Sequence, residues 1–162
     1  MKHASRLALS LLVIATLSAV GFAQSDWESH TKRTFRDVIA ANSQTSAPAA
    51  DYVISADLFT SKSEVIFGGQ HRPISDAKRK FVSLWCETRN LPAATADKLT
   101  EEYLFTQDGV DYWTLVAPEL KPFIEKELTK GDKVRVFFFF VGGYDGKRKI
   151  DWVLLVEEFK KL

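Results

Sequence analysis

Residues Val134 to Val141, VRVFFFFV, become apolar on both sides once the chain is extended. Successive side chains of a strand point to opposite faces. Val134, Val136, Phe138 and Phe140 therefore share one face, while Phe137, Phe139 and Val141 follow Arg135 on the other. Burying a Phe side chain is worth roughly 1.5–3 kcal/mol, so Phe137 and Phe139 left in water beside Val141 would forfeit stability and form an adhesive patch. Whatever the fold, something must cover this strand on both faces. The chain's own helices, a second subunit or a ligand are the candidates. The following residues, GGYDGKRKIDWVLLVEEF, supply a Gly- and Asp-rich reversal and a second β-type run, which predicts a β-hairpin over 134–159.

Three amphipathic helices are available as cover. Ser25-Asp26-Trp27-Glu28 fits a capping box, and Trp27, Thr31, Phe35, Val38 and Ile39 recur at helical spacing after it. A second helix is predicted from the Ser75 cap to Asn90, with Ala77, Phe81, Leu84, Trp85 and Thr88 along one side. A third starts at Pro118, carries Leu120, Phe123, Ile124 and Leu128, and closes at Gly131. Between the second and third, two strands at 101–106 and 110–116 flank Asp108-Gly109, a strong hairpin signal. Residues 51–59 and 64–67 read as extended, although 56–62 could equally form a helical turn.

The N-terminus carries the marks of a secretory leader. Lys2 and Arg6 precede the uncharged apolar run Leu7 to Val20, and Gly21-Phe22-Ala23 offers a cleavage site after Ala23. That run is shorter than the ~20 apolar residues a spanning helix needs, so the expected product is not membrane-spanning. These features predict a periplasmic or secreted protein and divide the chain into a leader (1–23), an N-terminal helix with a small-residue linker (24–50) and one α+β domain (51–162). Loss of Lys2 and Arg6 moves the formal net charge from +1 to −1, which gives no general reason for a polyanionic partner. Cys86 is the single cysteine, so an intramolecular disulfide is excluded and stability rests on the core.

From Glu101 to Phe159 the order is strand, strand, helix, Gly-Asp turn, long strand, strand, with Gly131-Asp132-Lys133-Val134-Arg135-Val136 entering the long strand. This half resembles an OB-fold, a five-stranded Greek-key barrel with a helix between its third and fourth strands. The resemblance implies that the first barrel strand comes from 52–70 and that the helix after Ser75 is an insertion. It also implies binding of oligonucleotides, oligosaccharides or proteins. The expected architecture is α+β: a curved antiparallel sheet or partial OB-like barrel with amphipathic helices packed on its outside.

Signals for catalysis are sparse. After leader removal two histidines remain, His30 and His71, and neither an HExxH pattern nor paired cysteines nor a GxSxG elbow occurs. No metal site, cofactor or catalytic residue is therefore assigned. Gly68-Gly69-Gln70-His71-Arg72-Pro73 reads as a loop in which His71 and Arg72 could hold an anion. Lys147, Arg148 and Lys149 sit at the hairpin tip beside Tyr144, with Tyr112, Trp113 and Trp152 on neighbouring strands. Aromatics interleaved with cations in this way can hold sugars or single strands. The adjacent carboxylates Glu101-Glu102 and Glu157-Glu158 point to opposite faces of strands, which suits solvated edges and not a shared site. The expected function is an exported, non-enzymatic binding or interaction module. His71, Arg72, Tyr144, Lys147 and Arg148 are its candidate contacts and an envelope protein or glycan its partner, nucleic acid being disfavoured by charge. The alternative is a small exported hydrolase built on the His71 loop.

Overall fold

The structure, a computed structural model, describes residues 29–43, 52–54, 60–145 and 150–162. The elements are β1 (Thr31–Lys32), α1 (Phe35–Asn42), β2 (Tyr52–Val53), β3 (Ser61–Pro73), α2 (Asp76–Thr88), α3 (Ala93–Lys98), β4 (Glu101–Gln107), β5 (Val110–Val116), α4 (Lys121–Glu127), β6 (Lys133–Asp145) and β7 (Ile150–Lys161). Strands β3, β4, β5, β7 and β6 are neighbours in that order, and β6 pairs back onto β3, which closes a five-stranded barrel. Within the barrel the pairings are antiparallel except β5 with β7, and α4 lies between the third and fourth barrel strands. The first barrel strand, expected from 52–70, is β3 at Ser61–Pro73, and the OB-like barrel closes with helices packed around it.

The barrel interior takes the first face of β6. Val134, Val136, Phe138 and Phe140 pack in one cluster with Val65, Phe67, Tyr103, Phe105, Val116 and Val156. At one end α4 adds Ile124 and Leu128, while α1 adds Phe35, Val38 and Ile39. The Phe35 ring meets Tyr112 and Phe138 edge-on, with centroids 5.2 and 4.7 Å away. Gln107 fixes this plug: its Oε1 accepts from the Phe35 N–H at 2.8 Å, and its Nε2 donates to Ser63 Oγ at 2.5 Å and to the Glu64 carbonyl at 3.1 Å. A buried amide with its hydrogen bonds made avoids the desolvation cost of unsatisfied polar atoms.

The second face of β6 is covered by the protein itself. Val141 lies in an outer cluster with Phe81, Val82, Trp85 and Cys86 of α2 and Leu115, Val153 and Leu155 of the barrel wall. Gly142 makes this possible, since a Cβ there would sit 2.5 Å from the Phe81 ring. Phe137 is buried and meets the His30 ring edge-on at 5.4 Å. Phe139 alone of the three stays half-buried, beside Trp85.

Helices α2 and α3 form the inserted layer. They leave and re-enter the barrel at one point, because Pro73 and Glu101 are paired and the Ile74 N–H donates to the Thr100 carbonyl at 3.0 Å. Ser75 caps α2 as expected, and Asn90 (φ 53) ends it. The buried stripe of α2 is Lys78, Phe81, Val82, Trp85 and Cys86, whereas Leu84 is exposed. Phe123 of α4 likewise faces water.

Two expectations need correction. The first helix starts at Phe35, where Thr34 and Asp37 form the capping box, and Thr31–Lys32 pair with β3 as a strand. The proposed Ser25 box lies outside the described residues. The Gly68 to Pro73 segment is strand, not loop: Gly69 (φ 70) sits in a bulge between Phe67 and His71, after which pairing with β4 resumes. The Asp108-Gly109 turn is as read, with φ of 51 and 77. Among the described residues no helix is long and apolar enough to cross a membrane.

Phe35→Ala should lower unfolding free energy by about 3–5 kcal/mol in urea titration, whereas Phe123→Ala should stay within about 0.5 kcal/mol of wild type. Glu64 spans the β3–β6 seam to Lys133 and Arg135, at 2.8 Å each, and these partners hold its carboxyl at about 2, below the ordinary 4.5. A depressed folded pKa contributes stability above pH 4.5 that is lost as pH falls toward 2. Glu64→Gln should therefore flatten the acid limb of the urea midpoint between those pH values.

Candidate functional site

The outer wall of β3, β4 and β7 under the start of α2 gathers charges that the sequence scatters. Glu102 on β4 is buried, and its two oxygens meet Lys78 Nζ from α2 and Arg72 Nε from β3, the latter at 3.0 Å. Lys78 is also buried, with its side chain 4% exposed, and its ammonium stands 3.8 Å from Asp151 Oδ2 on β7. Asp151 in turn accepts from the Tyr144 hydroxyl at 3.1 Å and, through its other oxygen, from the Trp152 backbone N–H at 2.8 Å. Burial is the main reason that the Tyr144 hydroxyl is pushed up to about 12, so it acts as a neutral donor. Arg72, half in solvent, lays its guanidinium over the Trp113 indole with Cζ 4.0 Å from the ring centroid.

These groups border a cleft created by the topology. Parallel strands β5 and β7 pair at just two positions, Leu115 with Leu155 and Val116 with Val156. Beyond that seam a cavity of about 110 Å³ is lined by Trp113 and Asp111 on one side and Asp151 and Trp152 on the other, with Arg72, Lys78 and Ile39 of α1 completing the lining. Thr106 Oγ1 donates to Asp111 at 2.7 Å, which fixes that carboxylate, and Trp152 is exposed. The cleft therefore offers one exposed and one partly covered indole, two carboxylates and a guanidinium held in place by buried partners. Such an arrangement can stack on a flat or ring-shaped ligand and hydrogen-bond its edge.

The candidate residues fall into different places. His71 and Arg72 are neighbours on a strand, so they point to opposite faces and cannot share one anion; the loop that was to bring them together is the strand β3. His71 turns toward the barrel end, stacked on Tyr103 at 5.5 Å with Nδ1 3.6 Å from Glu101 Oε1. Lys121 and His71 both lower the Glu101 carboxyl, Lys121 the more. Arg72 and Tyr144 do meet in the Glu102–Asp151 network, Tyr144 as a buried support. Lys147 and Arg148 lie outside the described residues. Cys86 is packed in the outer core, and burial pushes its thiol up, away from thiolate chemistry. Among the described residues no group of three or more His, Cys, Asp and Glu is arranged to hold a metal ion.

Sequence reasoning missed Lys78, Glu102 and Asp151. It placed Glu102 on a solvated edge, and the structure buries it because α2 covers that part of β4. The available signal was Lys78 itself, three residues from Phe81 and so on the same helix face. Neither the protein-family models nor the curated proteins gave a match to the chain.

Removing one partner of a buried ion pair strands the other charge. Lys78→Met should cost about 3–5 kcal/mol, and the double variant Lys78→Met/Glu102→Leu should recover most of that loss, as read from urea midpoints.

Proposed function

We propose that this protein is an exported, non-enzymatic binding module that takes an envelope glycan in the Trp113–Trp152 cleft. The observation that carries this reading is the pair of indoles across the β5–β7 opening, with Asp111, Asp151 and Arg72 around them. Sugar rings present apolar faces that suit an indole and hydroxyl edges that suit carboxylates and a guanidinium. The buried Lys78–Glu102 pair and the Tyr144–Asp151 bond support it, since a rigid surround lowers the entropy lost when a ligand docks. OB-folds bind oligosaccharides on the strand 2–3 face and the loop between strands 4 and 5, and Trp113 on the third barrel strand and Asp151 and Trp152 at the start of the fifth border that region. Export rests on the leader read in residues 1–23.

A protein partner would bury a larger area around the same indoles, and the two readings separate by probe. The full mature chain should be retained on insoluble peptidoglycan or chitin, with Trp152→Ala and Trp113→Ala each losing at least about tenfold in affinity, or ~1.4 kcal/mol. His71→Ala should bind as wild type. Equal retention of all three variants would remove the cleft from the account, and loss with His71→Ala would favour the barrel end instead.

A further inference from the structure

Toward the C-terminal end of α2, away from the Lys78 end that borders the Trp113 cleft, a larger pocket of about 630 Å³ opens between the two inserted helices and the barrel. Its walls include Trp85 of α2, Leu91 and Leu99 flanking α3, and Phe139 and Leu155 of the barrel. The volume falls within the range of small-molecule pockets, and the lining has the expected blend of apolar walls and a few charged groups. This is also the place where the two-sided burial of β6 is left incomplete. Phe137 and Val141 are buried, but Phe139 between them is only half covered, with the Trp85 ring tilted beside it at 6.2 Å. Leu91, 36% exposed, faces the same space.

The charged groups are arranged by side. Arg89, at the C-terminal cap of α2, and Lys98, the last residue of α3, stand on the helical side. Among the described residues neither closes an ion pair with a carboxylate. Glu119 and Glu157 stand on the barrel side. Glu157 is exposed, and partial desolvation by the surrounding protein pushes its carboxyl pKa up. The two cations are thus grouped on the helical side of the pocket, facing Glu119 and Glu157 across it.

We propose that this pocket binds a small anionic amphiphile, with its apolar body against Phe139, Trp85 and Leu155 and its anionic head toward Arg89 and Lys98. The site is separate from the glycan cleft and does not depend on that reading. A bound chain would complete the cover of Phe139, which supplies the driving force, while the two cations select the head group.

The test uses calorimetric titration of the full mature chain with monomeric laurate, dodecanol and dodecyltrimethylammonium. Laurate should bind saturably and more tightly than either of the others. Leu91→Glu, at an exposed position, should reduce laurate affinity at least about tenfold with the urea midpoint unchanged, and Phe139→Ser should do the same where it folds. Arg89→Gln/Lys98→Gln should weaken laurate about tenfold and leave dodecanol unaffected. Trp152→Ala should leave laurate binding intact, which keeps this site distinct from the cleft. No saturable laurate binding, or tighter binding of the cationic amphiphile, would overturn the proposal. So would binding that appears only in Leu58→Ser/Phe59→Ser, since these residues precede the pocket-lining Thr60 in the chain and such a result would mean that the protein fills its own pocket.

Discussion

The structure depends on the burial of one strand from both sides. Strand β6 is apolar inside and outside, and each face has its own core: the barrel interior for Val134, Val136, Phe138 and Phe140, and the α2 layer for Val141. A barrel alone satisfies only the first. The inserted helices satisfy the second, which is why a helical layer between the first two barrel strands belongs to the fold's stability. Phe137 finds a third cover near His30. Phe139 is where coverage ends, and the larger pocket opens there.

Docking α2 on the barrel wall has an electrostatic consequence. The helix brings Lys78 against Glu102, and a charge pair with side chains 4% and 3% exposed survives only because each group has its partner and Arg72 and Asp151 extend the network. The same network sets Arg72 over the Trp113 indole and bonds the Trp152 backbone N–H at the gap that two-residue β5–β7 pairing leaves in the barrel. Packing of the outer layer and construction of the cleft are thus one event. α1 closes the barrel end behind that cleft, anchored through Gln107, so it is a core element despite its distance in sequence from the barrel strands.

Local chemistry was legible in the sequence and long-range pairing was not. The alternation of β6 assigned each of its residues to the correct face, the Asp108-Gly109 turn has the positive φ angles its residue types favour, and Ser75 caps α2. The Greek-key order of the second half pointed to the barrel. By contrast, Gly68-Gly69 looked like a loop because glycine pairs usually punctuate strands, whereas here one glycine takes the bulge and β3 continues through His71 and Arg72. Helix α3 escaped notice because Ala-Ala-Thr-Ala carries no apolar stripe. Glu102 read as solvated because its burial is set by an element docking from elsewhere in the chain. Of the candidate site, Arg72 and Tyr144 were found, but the carboxylates that organise them were not.

Native-state hydrogen exchange of the β6 amides tests the central claim most directly. If a doubly covered strand holds the fold together, the amides of Val136 to Val141 should exchange only through global unfolding, with exchange free energies equal to that measured in urea. Exchange of these amides well below the global free energy, while β4 or β5 remained protected, would contradict the account and place the stabilising centre elsewhere.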